Sequence, residues 1–165
     1  MQLRIKFLLF ICLMLVCQIA VTTDSFAKEH VYKNRRYNFA IKLPDSDWHG
    51  RESDNGDGAT FQSNLLYSSV TAYGTRGYEF RHKGAVEAYR EMQRNFGQIE
   101  RESVNAKNGS FEIVGLSRSK KRYQGIRGYT KHGATIIIIV KTERSQSRFM
   151  FDTLFNAVKK SIKIQ

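Results

Sequence analysis

The chain has 165 residues, with 27 lysines and arginines against 15 aspartates and glutamates, for a net charge of +12. That length suits a single domain, and the positive balance favours anionic partners. Both cysteines, Cys12 and Cys17, fall in an N-terminal apolar run. The rest of the chain can therefore hold no disulfide, no cysteine nucleophile and no thiolate zinc site.

Arg4 and Lys6 precede a nearly unbroken apolar run from Phe7 to Val21, and Ser25-Phe26-Ala27 is a small-x-small cleavage site. These three parts predict a secretory signal peptide over residues 1–27, cleaved after Ala27. The run is short for a retained membrane span. Neither cysteine follows the small residue that a lipid-modified cysteine would need. Cleavage removes Arg4, Lys6 and Asp24, leaving 138 residues with 25 basic and 14 acidic side chains, a charge of +11. The expectation is a periplasmic or secreted protein whose single domain spans 28–165.

Val31 to Arg36 reads as a polar approach anchored by Tyr32. From Tyr37 to Leu43, Tyr37, Phe39, Ile41 and Leu43 alternate with Asn38, Ala40 and Lys42, the period of a half-buried strand. Pro44 ends it. An excursion follows, with Trp48 expected to pin it to the body and Asn55-Gly56-Asp57-Gly58 expected to turn. Ala59–Ser63 and Tyr67–Gly74 resume as strands, and the three together suggest an antiparallel meander. Gly74 to Lys83 is a glycine-punctuated connection carrying Tyr78 and Phe80.

From Gly84 to Phe96 the period changes. Ala85, Tyr89, Met92 and Phe96 recur at helical spacing, and Gly97 follows as a candidate C-terminal cap. Asn108-Gly109 predicts a hairpin between 99–107 and 110–119. A turn at Lys120-Lys121 leads into 122–130, and His132-Gly133 into 134–142. The run Thr135 to Val140, TIIIIV, suits a central strand covered on both faces. Ser147 to Ile162 is amphipathic, with Phe151, Leu154, Phe155, Val158 and Ile162 on one stripe and lysines near its end. Two helices among hairpin-connected strands predict an α+β domain: an antiparallel sheet of about six to seven strands with helices on both faces.

The pattern Tyr37-x-Phe39-x-Ile41-x-x-Pro44, then Trp48, then Asn55-Gly56-Asp57-Gly58-x-x-Phe61-x-Ser63, then a strand ending Tyr73-Gly74, resembles the PsbP-like family. That family takes its name from an extrinsic protein of photosystem II. It includes nuclear Ran-binding proteins and bacterial DcrB-like envelope lipoproteins. The resemblance implies an α/β/α sandwich with no shared enzymatic activity, whose members bind or stabilise other proteins. This chain departs from the pattern in two places. Asn64-Leu65-Leu66 replaces the usual aspartate-glycine turn, and the acylated cysteine of DcrB-like lipoproteins is missing.

Asp45, Asp47, Glu52, Asp54 and Asp57 crowd the excursion, but they lack the spacing and terminal glutamate of a calcium loop. Such a turn is rich in Asp, Asn and Gly for backbone reasons. His30, His49, His82 and His132 never fall at paired ligand spacing. Gly115-Leu116-Ser117-Arg118-Ser119 lacks the final glycine of a nucleophile elbow. No catalytic residue, cofactor or metal ligand is expected.

The candidate anion- or partner-binding residues are Arg118, Lys120, Lys121, Arg122, Tyr123, Arg127, Tyr129 and Lys131, which crowd one hairpin. Cations interleaved with aromatics grip phosphates and sugars. The alternative is that these charges protect an edge strand from aggregation. The sequence thus points to an exported, non-enzymatic binding protein whose partner is an envelope or periplasmic protein. Its alternative is a module for phospholipid, lipopolysaccharide or polysaccharide. Export argues against nucleic acid as a partner.

Overall fold

The computed structural model describes residues 30–44, 47–76, 84–131 and 133–165. The predicted signal peptide with its predicted cleavage after Ala27, and Asp45, Tyr78, Phe80, His82 and His132, lie outside the described residues. Among the described residues ten strands and two helices follow in order: β1 (His30–Asn34), β2 (Phe39–Leu43), β3 (His49–Glu52), β4 (Gly58–Ser63), β5 (Ser68–Thr75), α1 (Gly84–Gln93), β6 (Phe96–Asn105), β7 (Ser110–Ser117), β8 (Arg122–Lys131), β9 (Ala134–Glu143), α2 (Arg148–Ser161) and β10 (Lys163–Ile164).

Seven strands form one antiparallel sheet in the order β3-β4-β5-β9-β8-β7-β6. The isoleucine run is β9, at the centre between β5 and β8, as its composition predicts. Ile136, Ile138 and Val140 enter the core on one face, and Ile137 enters the core on the other. α1 covers the second face with Ala85, Ala88 and Met92. The first face is covered by α2, through Phe151, Leu154, Phe155 and Val158, together with a small sheet of order β1-β2-β10. The α2 N-cap is Ser147, whose Oγ accepts a hydrogen bond from the Met150 amide at 3.2 Å. No helix among the described residues is long and apolar enough to cross a membrane. Both cores and every strand pairing lie within residues 30–164, so a chain beginning at Lys28 carries every contact of the described fold.

Four expectations require correction. The Tyr37–Leu43 strand does not join a meander with the next two. Its neighbours are β1 and the C-terminal β10, because its alternate apolar residues pack under α2 instead of extending the main sheet. The polar approach at 31–36 contains a strand, since Tyr32 and Asn34 turn inward at alternate positions. The excursion likewise contains β3, which carries no apolar residue for periodicity to detect. The first helix ends at Gln93, so Gly97 is not its cap. Phe96 opens β6 and reaches the same core as α1, satisfying its apolar spacing from a strand.

Trp48 does pin the excursion. It is buried in the core under the small sheet and donates its indole N–H to the Pro44 carbonyl at 2.6 Å. Buried Asn34 ties the β1–β2 turn to the excursion, donating to Gly56 O and accepting from the Tyr37 amide.

Burial pushes the hydroxyls of Tyr32, Tyr37, Tyr73 and Tyr89 above the ordinary tyrosine value of 10.0. The folded state thus favours the neutral phenol. That stability is complete below about pH 10 and is lost as the pH rises through the folded values. Alkaline titration followed by far-ultraviolet circular dichroism should show unfolding that coincides with the last phenolate absorbance. Complete ionisation near pH 10 with the fold intact would contradict this assignment.

Candidate functional site

Antiparallel pairing sends alternate connections to opposite ends of the main sheet. Four arrive at one end: 64–67, 94–95, 118–121 and 144–147. Backbone hydrogen bonds link them. The Glu143 amide donates to Tyr67 O at 3.1 Å, Arg144 to Lys121 O at 2.9 Å, and Arg118 to Asn95 O at 3.0 Å. Over 118–122 and 141–148 this end carries seven cations and a single carboxylate, Glu143. Arg122 pairs with Glu143 at 3.7 Å. Arg118, Lys120, Lys121, Lys141 and Arg144 form no ion pair among the described residues.

The 64–67 turn is built to stay open. The Asp47 carboxylate accepts from Ser63 Oγ at 2.8 Å and from the Leu65 amide at 3.2 Å, while Ser63 Oγ accepts from the Leu66 amide. This fixes the Asn64-Leu65-Leu66 departure and leaves Leu65 and Tyr67 facing solvent. Beside it, a cleft of about 410 Å³ is lined by residues including Gln62, Tyr67, Ser69, Arg122, Lys141 and Glu143.

The eight residues singled out from the sequence are not one site. Arg118, Lys120, Lys121 and Arg122 share the basic end. Tyr123 lies under the start of α2, its ring 5.8 Å from Phe151 with the Arg148 guanidinium 5.2 Å above it. Arg127 sits over the Tyr129 ring at 4.8 Å and pairs with Glu112 at 3.7 Å, beneath α2. Lys131 is at the far end of β8, about 30 Å from Arg122 at strand rise. Nor does this hairpin guard an edge, because β8 lies between β9 and β7. The sheet's edges are β3 and β6, and at β6 the Glu100-Arg101-Glu102 run and two register shifts discourage a further strand. Lys141, Arg144, Leu65, Tyr67 and Phe149 escaped sequence reasoning, because they come from segments that only the strand pairing brings together.

Under α2 lies a separate charge network. Glu112 meets Lys159 at 3.0 Å, Arg127 at 3.7 Å and Arg101 at 3.8 Å, and Asp152 meets Arg101 at 3.3 Å. Arg148 pairs with Asp152 at 2.9 Å and contacts Glu100. Burial opposes the charge of Arg148, but hydrogen bonds to these carboxylates outweigh it and raise its pKa. The network joins α2 to β6, β7 and β8.

The acidic excursion does not converge. Asp47 caps the basic-end turn. At the opposite end of β4, Asp57 accepts from Tyr37 Oη at 3.1 Å and Asn55 Nδ2 at 2.5 Å and pairs with Arg36 at 3.0 Å. Among the described residues no group of three or more His, Cys, Asp or Glu side chains is placed to hold a metal ion.

The solution structure of cyanobacterial PsbP (CyanoP) from Synechocystis sp. PCC 6803 superposes with a TM-score of 0.63. The match covers 87% of this chain and 96% of that one, at 11% identity. The fold is PsbP-like. A Bacteroides thetaiotaomicron VPI-5482 crystal structure matches 84% of this chain and 48% of its own, at TM-score 0.47 and 9% identity. No family model matches the sequence, and no curated protein does. On this PsbP-like frame, α1 lies mainly across β6, β7 and β8. The same face of β4 and β5 presents Thr60, Gln62, Ser69 and Thr71, exposed or half-buried, while Tyr73 packs against the core under α1.

Proposed function

We propose that the protein is an exported, non-catalytic accessory domain that binds another protein of the periplasm or envelope through the half of the sheet α1 leaves uncovered. The observation carrying this reading is that half-face. It is hydroxyl-rich and joined to the central strand β9 through β5, with Thr60 and Thr71 bonded across the ladder at 3.1 Å. Exposed hydroxyls on a hydrogen-bonded sheet suit a protein interface better than bond-making chemistry. Where the titratable groups do gather, in the Glu112 network, they pair with one another beneath a helix.

The test is affinity capture from envelope extract with the chain from Lys28 onward, alongside Gln62→Arg and Thr71→Arg variants. Capture of one protein that survives high salt and falls at least tenfold in both variants is the expected result, since each arginine desolvates poorly in a packed interface. Capture unaffected by either arginine would exclude this face. A second reading, an anionic-ligand module, is favoured by the unpaired cations at the basic end.

A further inference from the structure

We infer that the basic end of the sheet is a docking surface for an anionic phospholipid bilayer, with Leu65, Tyr67 and Phe149 entering the headgroup layer. This rests on the anionic-ligand reading and narrows its ligand to lipid. Among the described residues seven large hydrophobic side chains are exposed, and the three most exposed are Phe149 at 80%, Leu65 at 69% and Tyr67 at 58%. Single exposed apolar residues are ordinary on any surface. Here, however, all three occupy the same end, on the 64–67 turn and the first turn of α2.

Their setting decides the occupant. Three side chains on two short turns, set among cations, offer a packed protein interface little to bury. Separate apolar tips can each enter the boundary between headgroups and acyl chains, where aromatic rings are at home. Around them, Arg118, Lys120, Lys121 and Arg144 are exposed and form no ion pair among the described residues, leaving their charge for lipid phosphates. Charge complementarity and apolar tips thus coincide on one surface. The hydrogen bonds from Asp47, and those linking 118–121 to Arg144, pre-order it.

The experiment is vesicle flotation with the chain from Lys28 onward, which lacks the N-terminal apolar run. Vesicles of phosphatidylglycerol mixed with phosphatidylcholine are compared with phosphatidylcholine alone. Binding is expected only to the anionic vesicles. Lys120→Glu with Lys121→Glu should weaken it by more than roughly thirty-fold, at about fivefold for each cation removed near an anionic surface and more from the repulsion of the two added carboxylates. Leu65→Ser with Phe149→Ser should weaken it at least tenfold. Lys107→Glu with Lys131→Glu, an equal charge change at the opposite end, should leave it unchanged. A Phe149→Trp variant should shift its emission to the blue on anionic vesicles, against the constant background of buried Trp48. Three results overturn the inference: no flotation, equal loss in the Lys107/Lys131 variant, or flotation without the blue shift. If a soluble anionic polysaccharide binds while vesicles do not, the inference falls and the anionic-ligand reading stands; if neither binds, both fall.

Discussion

Replacing Gly125 with valine is expected to lower the melting temperature by about 10 °C, the equivalent of about 3 kcal/mol for a domain of this size. A Cβ at Gly125 would sit 2.6 Å from two ring carbons of Phe155. Phe155 is fully enclosed in the core beneath α2, stacked on Phe151 with centroids 5.9 Å apart, so its ring has nowhere to move. The helix must lift from β8 or the strand must bow. Phe155→Ala alone should cost a similar amount, by emptying the same volume. The two changes compensate: valine fills part of the space the ring vacates, so the double variant should be more stable than the sum of the single losses predicts. Thermal melts of the three variants decide it. Additive losses would mean that Gly125 and Phe155 do not share a seat.

β8 uses the same device on its other face, where a Cβ at Gly128 would meet the Phe111 ring at 2.1 Å. One strand therefore seats an aromatic ring on each side, three residues apart. This is how a central strand with so little apolar bulk joins two cores. Strand propensity alone would have marked those glycines as weak points.

How much of this was legible follows from what each segment shows locally. The β9 run announces a doubly covered strand, and the α2 stripe announces its own buried face, because both signals lie within one element. The β2 pattern is equally clear, yet its partner β10 is Lys163–Ile164, at the other end of the chain, and periodicity says nothing about pairing over that distance. β3, HGRE, has no apolar residue at all. Its place is set by Gly50, whose missing side chain leaves room for Phe61 on the neighbouring strand.

The candidate surface divides in the same way. The 118–122 cations were readable because they are contiguous. Leu65 and Phe149 were not, since an exposed leucine and a buried one look alike until the fold assigns them a side. Tyr123 and Arg127 were misgrouped for a reason of geometry. Neighbours in sequence alternate faces on a strand, and these two point under α2 while Arg122 points away.

Replacing Glu112 with alanine should cost about 3 kcal/mol, at the lower end of the range for breaking a buried pair because its partners keep some solvent. The Glu112 side chain is 13% exposed and faces Lys159, Arg127 and Arg101, whose side chains are 29%, 20% and 46% exposed. Without it, three cations from α2, β8 and β6 converge on a gap under the helix. Arg127 already has a buried Nε with no hydrogen-bond partner among the described residues, so it has little left to lose. Glu112→Gln keeps an acceptor for Lys159 but no charge, and should fall about midway. Added salt should recover part of the loss in the alanine variant, because the remaining repulsion is between like charges that ions can screen. Replacing Glu112, Arg127 and Lys159 together with leucine should restore much of the stability, since the desolvation of all three charges is then avoided. Denaturant unfolding at low and high salt separates these cases. A loss below about 1 kcal/mol, or one indifferent to salt, would show that α2 is held by its aromatic stripe alone and that the charges beneath it only fill space.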